Sequence, residues 1–352
     1  MSARRRFLHG RGLRRQRPLA RAIFRPHRSR LLLALPDLFL DRLRVILPPE
    51  RLDAVLATFE APGATAFRAC PLVAPEAETM AELQAEGVGF EPIEGIPGAY
   101  RAEDRAALLA SGAYARGALY VQNASSQLPP HLLAPEAGER VLDLCAAPGS
   151  KTGQLAAMME DRGEIVAMEK VRGRFYKLKA NMEAQGATCV TAWQGDGSRV
   201  WQSETEAFDR VLVDVPCSTE GRFLADDPET TRYWSKRKIN EMRRVQWRLL
   251  FSAIMALKPG GTLVYSTCTF APEENEAVLA KALKTFGDKI EIVDAGLPTS
   301  GPLAEATMPG MAAWNGKTFP ESVRLARRVL PDGLLEGFFV ARIAKHESTV
   351  RA

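Results

Sequence analysis

The sequence contains no apolar stretch long enough to cross a membrane. The longest apolar run near the start, residues 31–35, is interrupted by Pro36 and Asp37, whereas a membrane-spanning helix needs about 20 predominantly apolar residues. We therefore expect a soluble protein. With 352 residues, 46% of them hydrophobic, the chain can bury a sizeable core, and its length favours two domains over one.

Cysteine is also scarce in this sequence. The chain has 5 cysteines, an odd number, which lie between Cys70 and Cys268 without close pairing. Neither a disulfide framework nor a zinc site has such spacing. We therefore predict no metal centre and a reducing compartment, and we expect a cytoplasmic protein.

Acidic residues are absent from the first thirty positions. Residues 1–30 contain eleven arginines and no Asp or Glu, so the net charge of +5 for the whole chain becomes −6 for the remaining 322 residues. Such a segment is typical of a disordered arm that binds polyanions. It is equally typical of an organelle transit peptide, and an over-extended start codon would also produce it. These alternatives, and with them import into an organelle, stay open.

The chain after this arm divides into two regions with different sequence patterns. Residues 31–116 combine two short helical patterns with short strands punctuated by glycine and proline, which predicts a small N-terminal α+β domain. Residues 117–345 alternate apolar runs with amphipathic stretches, which predicts a doubly wound, mostly parallel sheet. A tail, 346–352, follows. The predicted strands of the second domain are 140–144, 164–168, 190–193, 210–213 and 262–265.

A loop of small residues follows the first of these predicted strands. Small residues before a helix let a ligand approach backbone amides that carry partial positive charge. A Walker loop is excluded because Ser150 separates Gly149 from Lys151, and the dinucleotide pattern G-x-G-x-x-G is absent. The loop therefore favours a nucleotide-like ligand without a pyrophosphate, such as S-adenosylmethionine. Its residues are Cys145, Ala146, Ala147, Pro148, Gly149, Ser150, Lys151 and Thr152.

Three acidic residues follow predicted strands at the same edge of the sheet. Glu169 lies about 26 residues after Asp143, the position from which a carboxylate holds ribose hydroxyls in doubly wound folds. Asp196 is placed to accept a hydrogen bond from an adenine amino group, and Asp214 begins the next segment. Each residue alone is more often a cap or a turn former, so the shared edge carries the prediction.

Two further cysteines close predicted strands at this edge. They lie in Asp214-Val215-Pro216-Cys217-Ser218 and in Tyr265-Ser266-Thr267-Cys268-Thr269. A single free cysteine is usually a small buried hydrophobe, but two at the ligand-binding edge of a sheet indicate a site. Carbon 5 of a pyrimidine becomes nucleophilic once a thiolate adds to carbon 6, and a second group must then help to remove the proton from carbon 5. The pair therefore fits pyrimidine methylation, although the residues alone do not decide which cysteine is the nucleophile.

These motifs resemble the RNA cytosine-5 methyltransferases of the NOL/NOP/Sun type. The likeness extends from about Leu35 to Ala344, includes Glu273-Glu274-Asn275-Glu276, and is strongest to bacterial enzymes that modify small-subunit ribosomal RNA. It implies a Rossmann-like class I methyltransferase that uses S-adenosylmethionine to form 5-methylcytosine. The resemblance favours ribosomal RNA as the substrate, with transfer RNA as the alternative.

The resemblance also implies roles for individual residues. Cys268 would be the nucleophile on carbon 6, and Cys217 would assist proton removal and product release. Asp214 would hydrogen-bond the cytosine edge, with Lys151 nearby. S-adenosylmethionine would be held by the small-residue loop together with Glu169, Arg174, Asp196 and Asp214.

The sequence departs from the family pattern after Cys217. Ser218-Thr219-Glu220-Gly221 stands where the family commonly has Ser-Gly-x-Gly, and residues 222–228 replace a more basic run. Both changes put the loop geometry and the selection of RNA in doubt. We expect no carboxy-terminal RNA-binding appendage of the kind found in some relatives, so RNA capture would fall to the N-terminal domain, the arm and the methyltransferase face.

A basic cluster with interleaved aromatic residues is a candidate RNA surface. Arginine and lysine neutralise phosphates, and exposed aromatic rings stack on unpaired bases, although helical periodicity favours burial of Trp247. The target base must leave its stack to reach Cys268, which predicts a loop or single-stranded RNA. The cluster comprises Arg232, Tyr233, Trp234, Lys236, Arg237, Lys238, Arg243, Arg244, Trp247 and Arg248.

Two other classes of function stay open at this point. One is a ribosome-assembly factor that binds RNA with little turnover, and the other is a small-molecule methyltransferase, which the extra domain and the arm disfavour. We expect a monomer with RNA as its partner, without membrane association.

Overall fold

The computed structural model describes residues 35–350. The basic segment 1–30 and its predicted disorder lie outside the described residues. The helices are α1 (Asp37–Ile46), α2 (Pro49–Ala57), α3 (Glu76–Ala85), α4 (Arg105–Ala110), α5 (Gly112–Ala115), α6 (Ala124–Leu133), α7 (Ser150–Met158), α8 (Arg172–Ala184), α9 (Lys236–Ala256), α10 (Glu276–Phe286) and α11 (Pro302–Glu305).

The strands form a large mixed sheet, a smaller sheet and a two-stranded hairpin. In the first part of the chain they are β1 (Thr65–Ala69), β2 (Phe90–Pro92), β3 (Ala99–Ala102) and β4 (Leu119–Val121). The remaining strands are β5 (Arg140–Asp143), β6 (Glu164–Glu169), β7 (Val190–Gln194), β8 (Phe208–Asp214), β9 (Leu257–Thr267), β10 (Ile290–Val293), β11 (Thr307–Pro309), β12 (Ala313–Trp314), β13 (Lys317–Thr318), β14 (Arg327–Val329) and β15 (Phe338–Lys345).

The large sheet has a parallel half and an antiparallel half. Its strand order is β11-β14-β15-β9-β8-β5-β6-β7, with β10 paired to β15. The pairs among β9, β8, β5, β6 and β7 are parallel, and the pairs that involve β15 are antiparallel. Each of the five predicted strands forms one strand of the parallel half, so the predicted fold class is confirmed.

Both faces of the parallel half are covered by helices. Val141 and Leu212 belong to a buried core that also contains residues of α6, α7 and α8. Their chain neighbours Leu142 and Val211 belong to a second core, shared with α9 and α10. Because successive strand side chains point to opposite faces, strands buried on both faces read as continuous apolar runs. This two-sided burial is the reason that the strands could be predicted.

The smaller sheet is antiparallel, with the order β2-β3-β1-β4. Its core contains Phe67, Leu83 and Leu119. The last strand, β4, lies beyond residue 116, so the sheet continues past the predicted domain boundary. The division at that boundary stays a prediction.

The first two helices pack away from the small sheet. The ring of Phe39 lies edge-on to Phe223, with centroids 4.9 Å apart, and the Arg42 guanidinium forms a buried ion pair with Glu273 at 2.6 Å. Both partners follow strands of the large sheet. The helices α1 and α2 therefore support the loops at the carboxyl edge of that sheet.

A buried arginine joins the two sheets. The guanidinium of Arg68, on β1, donates to the Ser150 carbonyl oxygen at 2.9 Å, to Gln185 Oε1 at 2.7 Å and to Gln122 Oε1 at 3.1 Å. Burial lowers the pKa of this guanidinium. Since Ser150 begins α7, Arg68 fixes the small sheet against the loop that precedes this helix.

The helix α9 carries most of the basic cluster and has one apolar face. Its Ser235 cap accepts a hydrogen bond from the Lys238 amide, and Leu249 and Leu250 are buried against the sheet.

Among residues 35–350, no helix combines the length and the apolar character required to span a membrane.

Candidate active site

A cleft of about 350 Å³ opens at the carboxyl edge of β5, β8 and β9. This is the edge at which open α/β sheets bind ligands. The cleft brings together residues of the small-residue loop, both candidate catalytic cysteines and the strand β4 of the small sheet. Its lining includes Tyr120, Asn123, Ser126, Cys145, Ala146, Ala147, Pro148, Ser150, Lys151, Arg174, Asp214, Cys217, Arg222, Cys268 and Phe338.

The two cysteines of the cleft are in direct contact. Cys217 Sγ and Cys268 Sγ lie 3.2 Å apart. The strands β8 and β9 are parallel neighbours in which Asp214 is paired with Ser266, and the Val215 amide donates to the Ser266 carbonyl oxygen at 3.1 Å. This register places the residues just beyond the two strands side by side.

The surroundings of the two thiols are electrostatically unequal. The hydrogen bond from Cys217 lowers the pKa of Cys268 despite burial, and the guanidinium of Arg222 lowers it further. The same hydrogen bond, together with burial, raises the pKa of Cys217 well above its usual range. Because a thiolate is the nucleophilic form of cysteine, these surroundings favour Cys268 as the nucleophile and Cys217 as the hydrogen-bond donor.

Asp214 is held by two hydrogen bonds at the end of β8. Its Oδ2 accepts from Lys151 Nζ at 2.7 Å, and its Oδ1 accepts from Ser266 Oγ at 2.7 Å. Lys151 Nζ also donates to Ser126 Oγ at 2.8 Å. The lysine is buried, whereas the Asp214 side chain keeps 28% of its exposure. The carboxylate therefore has a fixed direction and remains accessible from the cleft.

The loop before α7 is shaped by a buried acid and a glycine. Thr152 Oγ1 donates to Asp143 Oδ2 at 2.7 Å, and burial raises the pKa of Asp143 to about 6 although this bond opposes the shift. Gly149 has a φ of 102°, and a Cβ there would lie 2.6 Å from Met182 Cε. Gly149 does not line the cleft or the smaller cavity beside it, so its contribution is the loop conformation.

A second cavity of about 210 Å³ adjoins the cleft at Cys145, Arg174 and Pro216. It contains the other two predicted acids. Glu169 Oε1 accepts from the Val171 amide at 2.7 Å, and Glu169 Oε2 lies 3.2 Å from Arg174 Nη1.

Asp196 lines the same cavity as an anion. It accepts from Lys170 Nζ at 2.8 Å and from the Ser198 amide at 3.1 Å. Although burial opposes it, these donors lower the pKa of Asp196 to about 2. The structure thus divides the predicted cofactor residues between two adjoining cavities.

A buried carboxyl group supports the segment around Cys217. Glu274 Oε2 accepts from the Ser218 amide at 3.0 Å and from Gln246 Nε2 at 2.6 Å. Gln246 Nε2 also donates to the Pro216 carbonyl oxygen at 3.0 Å. Burial raises the pKa of Glu274 to about 8. In the sequence Glu274 stands out only as part of the family motif, and its position beneath Cys217 depends on the fold.

A second buried carboxyl group connects the two cysteine segments. Glu220 Oε2 accepts from Thr269 Oγ1 at 2.9 Å and from the Phe270 amide at 3.1 Å. Ser218 Oγ and Thr269 Oγ1 are hydrogen-bonded at 2.8 Å. Thr219, which replaces the common family glycine, has a φ of 57°, a left-handed conformation that glycine adopts without steric cost. Threonine at position 219 therefore adopts the left-handed conformation that suits the family glycine, and its side chain makes that conformation strained.

Sequence reasoning missed Arg222 as a member of the site. Its Nε donates to Glu336 Oε2 at 2.9 Å, and the nearby Cys268 charge raises the pKa of Arg222. An arginine in an atypical loop carries no sequence signal for this position, because its neighbours come from distant parts of the chain.

The basic cluster is only partly available as a binding surface. Trp234 Nε1 donates to Glu220 Oε1 at 2.8 Å, and Trp247 packs beneath Lys281 Nζ at 4.2 Å. Neither indole ring is free to stack on a base, whereas Tyr233 is 73% exposed. Lys236, Arg237 and Arg244 are exposed and have no acidic partner within residues 35–350.

The sequence of this chain is similar to those of known RNA methyltransferases. The family model described as 16S rRNA methyltransferase RsmB/F matches residues 130–344. The chain is 34% identical over 320 residues to the ribosomal RNA small subunit methyltransferase F of Serratia proteamaculans, which covers 89% of this chain and 64% of that protein. This chain thus spans less than two thirds of the length of that relative.

Two archaeal proteins are also similar to the chain. The tRNA (cytosine(49)-C(5))-methyltransferase of Pyrococcus abyssi is 40% identical over 233 residues, which cover 66% of this chain and 72% of that protein. The crystal structure of a methyltransferase homolog protein from Pyrococcus horikoshii is 30% identical, covers 90% of this chain and 98% of its own, and has a TM-score of 0.76. These matches confirm the resemblance found in the sequence.

Proposed function

We propose, from the premise that the chain belongs to the 16S rRNA methyltransferase RsmB/F family, that it transfers a methyl group to carbon 5 of a cytosine in RNA. One observation carries the proposal. The Cys217 and Cys268 sulfur atoms lie 3.2 Å apart in a cleft that adjoins an acid-lined cavity of a size suited to part of a nucleoside ligand. Covalent pyrimidine chemistry needs such a pair beside a methyl donor.

The proposed reaction begins at Cys268. Its thiolate adds to carbon 6 of the cytosine, so that carbon 5 becomes nucleophilic. Asp214 faces the cleft with a fixed carboxylate, and it would hydrogen-bond the polar edge of the base while the ring gains electron density. Arg222 stabilises the thiolate before the addition.

Cys217 is suited to the later steps. While Cys268 is a thiolate, its negative charge keeps the proton on Cys217. Once Cys268 forms the carbon–sulfur bond, that charge is gone, and Cys217 can release its proton to solvent. After carbon 5 has formed its bond to the methyl group, the resulting thiolate takes the proton from carbon 5, and the electron pair of that carbon–hydrogen bond expels Cys268 as a thiolate. Both cysteines return to their starting forms, and one proton is released.

The residues of the two cavities fit S-adenosylmethionine as the methyl donor. Bound there, it supplies an electrophilic methyl group. Glu169 offers a carboxylate at the position suited to ribose hydroxyls, and Asp196 offers an anionic acceptor in the same cavity. Cys145, in the small-residue loop, lies where the two cavities meet, and Ala146 and Ala147 line the cleft beside it. A Cβ at Gly197 would lie 2.9 Å from Leu144, so backbone approaches closely along this wall.

We propose small-subunit ribosomal RNA as the substrate class. The support is the match to a ribosomal RNA small subunit methyltransferase F over 89% of this chain. The named tRNA enzyme of Pyrococcus abyssi has the higher identity over a shorter range, and it favours transfer RNA as a second candidate. An assembly factor without turnover would have no use for two thiols in contact.

A covalent trap tests the proposed function. The Cys217→Ala protein is incubated with S-adenosylmethionine and total cellular RNA, and the mixture is denatured to reveal protein bound to RNA. We expect an adduct that disappears in the Cys217→Ala, Cys268→Ala double variant. Sequencing of the trapped RNA distinguishes ribosomal from transfer RNA. Absence of an adduct from every RNA pool, with cofactor binding intact, would contradict the proposal.

A further inference from the structure

A groove of about 280 Å³ opens between the small sheet and the loops around residues 221–224 and 331–336. Its walls combine apolar side chains with exposed backbone. Pro62 and Ala64 lie on the side of the small sheet, and Leu334 and Leu335 lie on the other side. The Ala64 amide donates to the Gly333 carbonyl oxygen at 2.6 Å, so a hydrogen bond joins the two sides of the groove.

The groove is continuous with the catalytic cleft. Val121, Asn123 and Arg222 line both spaces. The amide of Gly221, another groove residue, donates to the Cys268 carbonyl oxygen at 3.0 Å. A strand of RNA whose target base occupies the cleft therefore has the groove as an immediate continuation.

The polar groups of the groove favour a nucleotide. Arg105 is exposed at the first turn of α4 and has no acidic partner within the described part of the chain. Asn123 Oδ1 accepts from the Ser125 amide, while its amide nitrogen has no hydrogen-bond partner among residues 35–350. The acidic residue of the groove, Glu336, is engaged by Arg222 at 2.9 Å. A cation and an amide donor thus flank apolar walls.

We propose that this groove holds the nucleotide adjacent to the target cytosine, with its base between the apolar walls and its phosphate at Arg105. The inference rests on the proposed function and adds a specificity site to it. Contact between an unstacked base and protein side chains stabilises a bound single strand whatever its sequence. A target base that has left its stack also exposes its neighbour, so such a site would hold the distorted strand in place.

Short single-stranded RNAs test the groove. Each carries the sequence around the cytosine that the unaltered protein methylates in cellular RNA, and two versions replace either the preceding or the following nucleotide by an abasic residue. We expect one of the two replacements to lower kcat/KM roughly tenfold, as loss of one stacked base would. The Leu334→Trp variant, in which the indole occupies the groove, should lose roughly tenfold on intact RNA and be indifferent to that abasic residue.

Arg105→Ala provides an independent variant because its side chain is exposed. Loss of one phosphate contact should raise KM for RNA and reduce the salt dependence of binding by about one unit of log–log slope. Arg116→Ala is the matched control, since it removes the same charge from the same region but lines neither cavity and pairs with Glu82. It should change neither quantity.

The outcomes separate the two proposals. If the unaltered protein methylates RNA but tolerates both abasic replacements, or if Leu334→Trp and Arg105→Ala behave like Arg116→Ala, the groove proposal is overturned while the proposed function stands. If the unaltered protein methylates no RNA, both proposals are overturned.

Discussion

The proposed cofactor half and the proposed RNA half of the site are built from different kinds of sequence. The cofactor half, with Glu169, Asp196 and the loop 145–151, uses short segments at the ends of successive parallel strands. The RNA half combines Asn123, Arg222 and segments near residues 62 and 334, which are distant in the chain. The difference teaches that a site on one sheet edge is readable from local pattern, whereas a site between two sheets depends on long-range packing.

Loss of the Cys268 thiol should break the RNA half and leave the cofactor half intact. In Cys268→Ala the covalent step has no nucleophile, so we expect methylation to fall by about 1000-fold or more. The dissociation constant of S-adenosylmethionine, measured by calorimetry, should stay within about twofold because Cys268 does not line the cavity that contains Glu169 and Asp196. A parallel loss of cofactor binding would contradict the separation of the halves.

Each half also contains a buried carboxyl group with a raised pKa. The two groups contribute to the pH dependence of the free energy of unfolding in different pH ranges. The pKa is about 6 for Asp143 in the cofactor half and about 8 for Glu274 in the RNA half. The folded state therefore holds protons that the unfolded state has released, so the free energy of unfolding falls as pH rises. Asp143 contributes to the fall up to about pH 6, and Glu274 continues it up to about pH 8.

The Glu274→Gln variant should remove the later part of this fall. Between pH 6 and 8 the difference in the free energy of unfolding between the unaltered protein and the variant should change by about 2 kcal/mol, at 1.36 kcal/mol for each pKa unit. Chemical denaturation at several pH values measures it. Glu241→Gln, at an exposed position of α9, is the control and should show no such change. A constant difference from pH 6 to 8 would show that Glu274 does not titrate in this window.

The cofactor half can be weakened by itself through Glu169. Glu169→Gln replaces an ionised acceptor by a neutral amide, and a hydrogen bond to a charged group is worth about 1.5–3 kcal/mol. We expect the dissociation constant of S-adenosylmethionine to rise by about tenfold to 100-fold. RNA binding should be unchanged.

The matched control for this change is Glu164→Gln. Glu164 lies at the other end of the same strand and pairs with Arg140. It should bind the cofactor normally. Equal weakening by the two substitutions would place the effect in the strand rather than in the site.

The smallest effect concerns the atypical loop of the RNA half. Thr219→Gly relieves a left-handed conformation but adds freedom to the unfolded chain. We expect relief of strain to outweigh the added freedom of the unfolded chain and to stabilise the protein by about 0.5 kcal/mol, since a strained φ costs about 1 kcal/mol or more. Thermal unfolding would register a slightly higher Tm, and a lower one would mean that the Thr219 side chain has a stabilising role of its own.

Much of the fold was predictable because the parallel strands are buried on both faces. The five apolar runs, the loop after β5 and the acids at the strand ends all carry a local signal. The residues that contact these strand ends from other parts of the chain carry no such local signal. Arg42 meets Glu273 across 231 positions, and no pattern near either residue predicts the pair.

The roles of the two cysteines were likewise beyond the sequence. Both follow apolar strands in similar segments, and only the family resemblance distinguished them. In the structure, Arg222 lies beside Cys268, and Glu274 supports the segment of Cys217. This asymmetry arises from loops that fold over the sheet edge, so it needs the tertiary structure.

The most direct test of the central claim is the identity of the cysteine that bonds to the base. An RNA substrate carrying 5-fluorocytosine at the target position cannot lose a proton from carbon 5, so the unaltered protein should stop at the covalent stage after methyl transfer. Mass spectrometry of the digested complex then locates the bond. The account predicts attachment of the methylated nucleotide to Cys268, and attachment to Cys217 would contradict it.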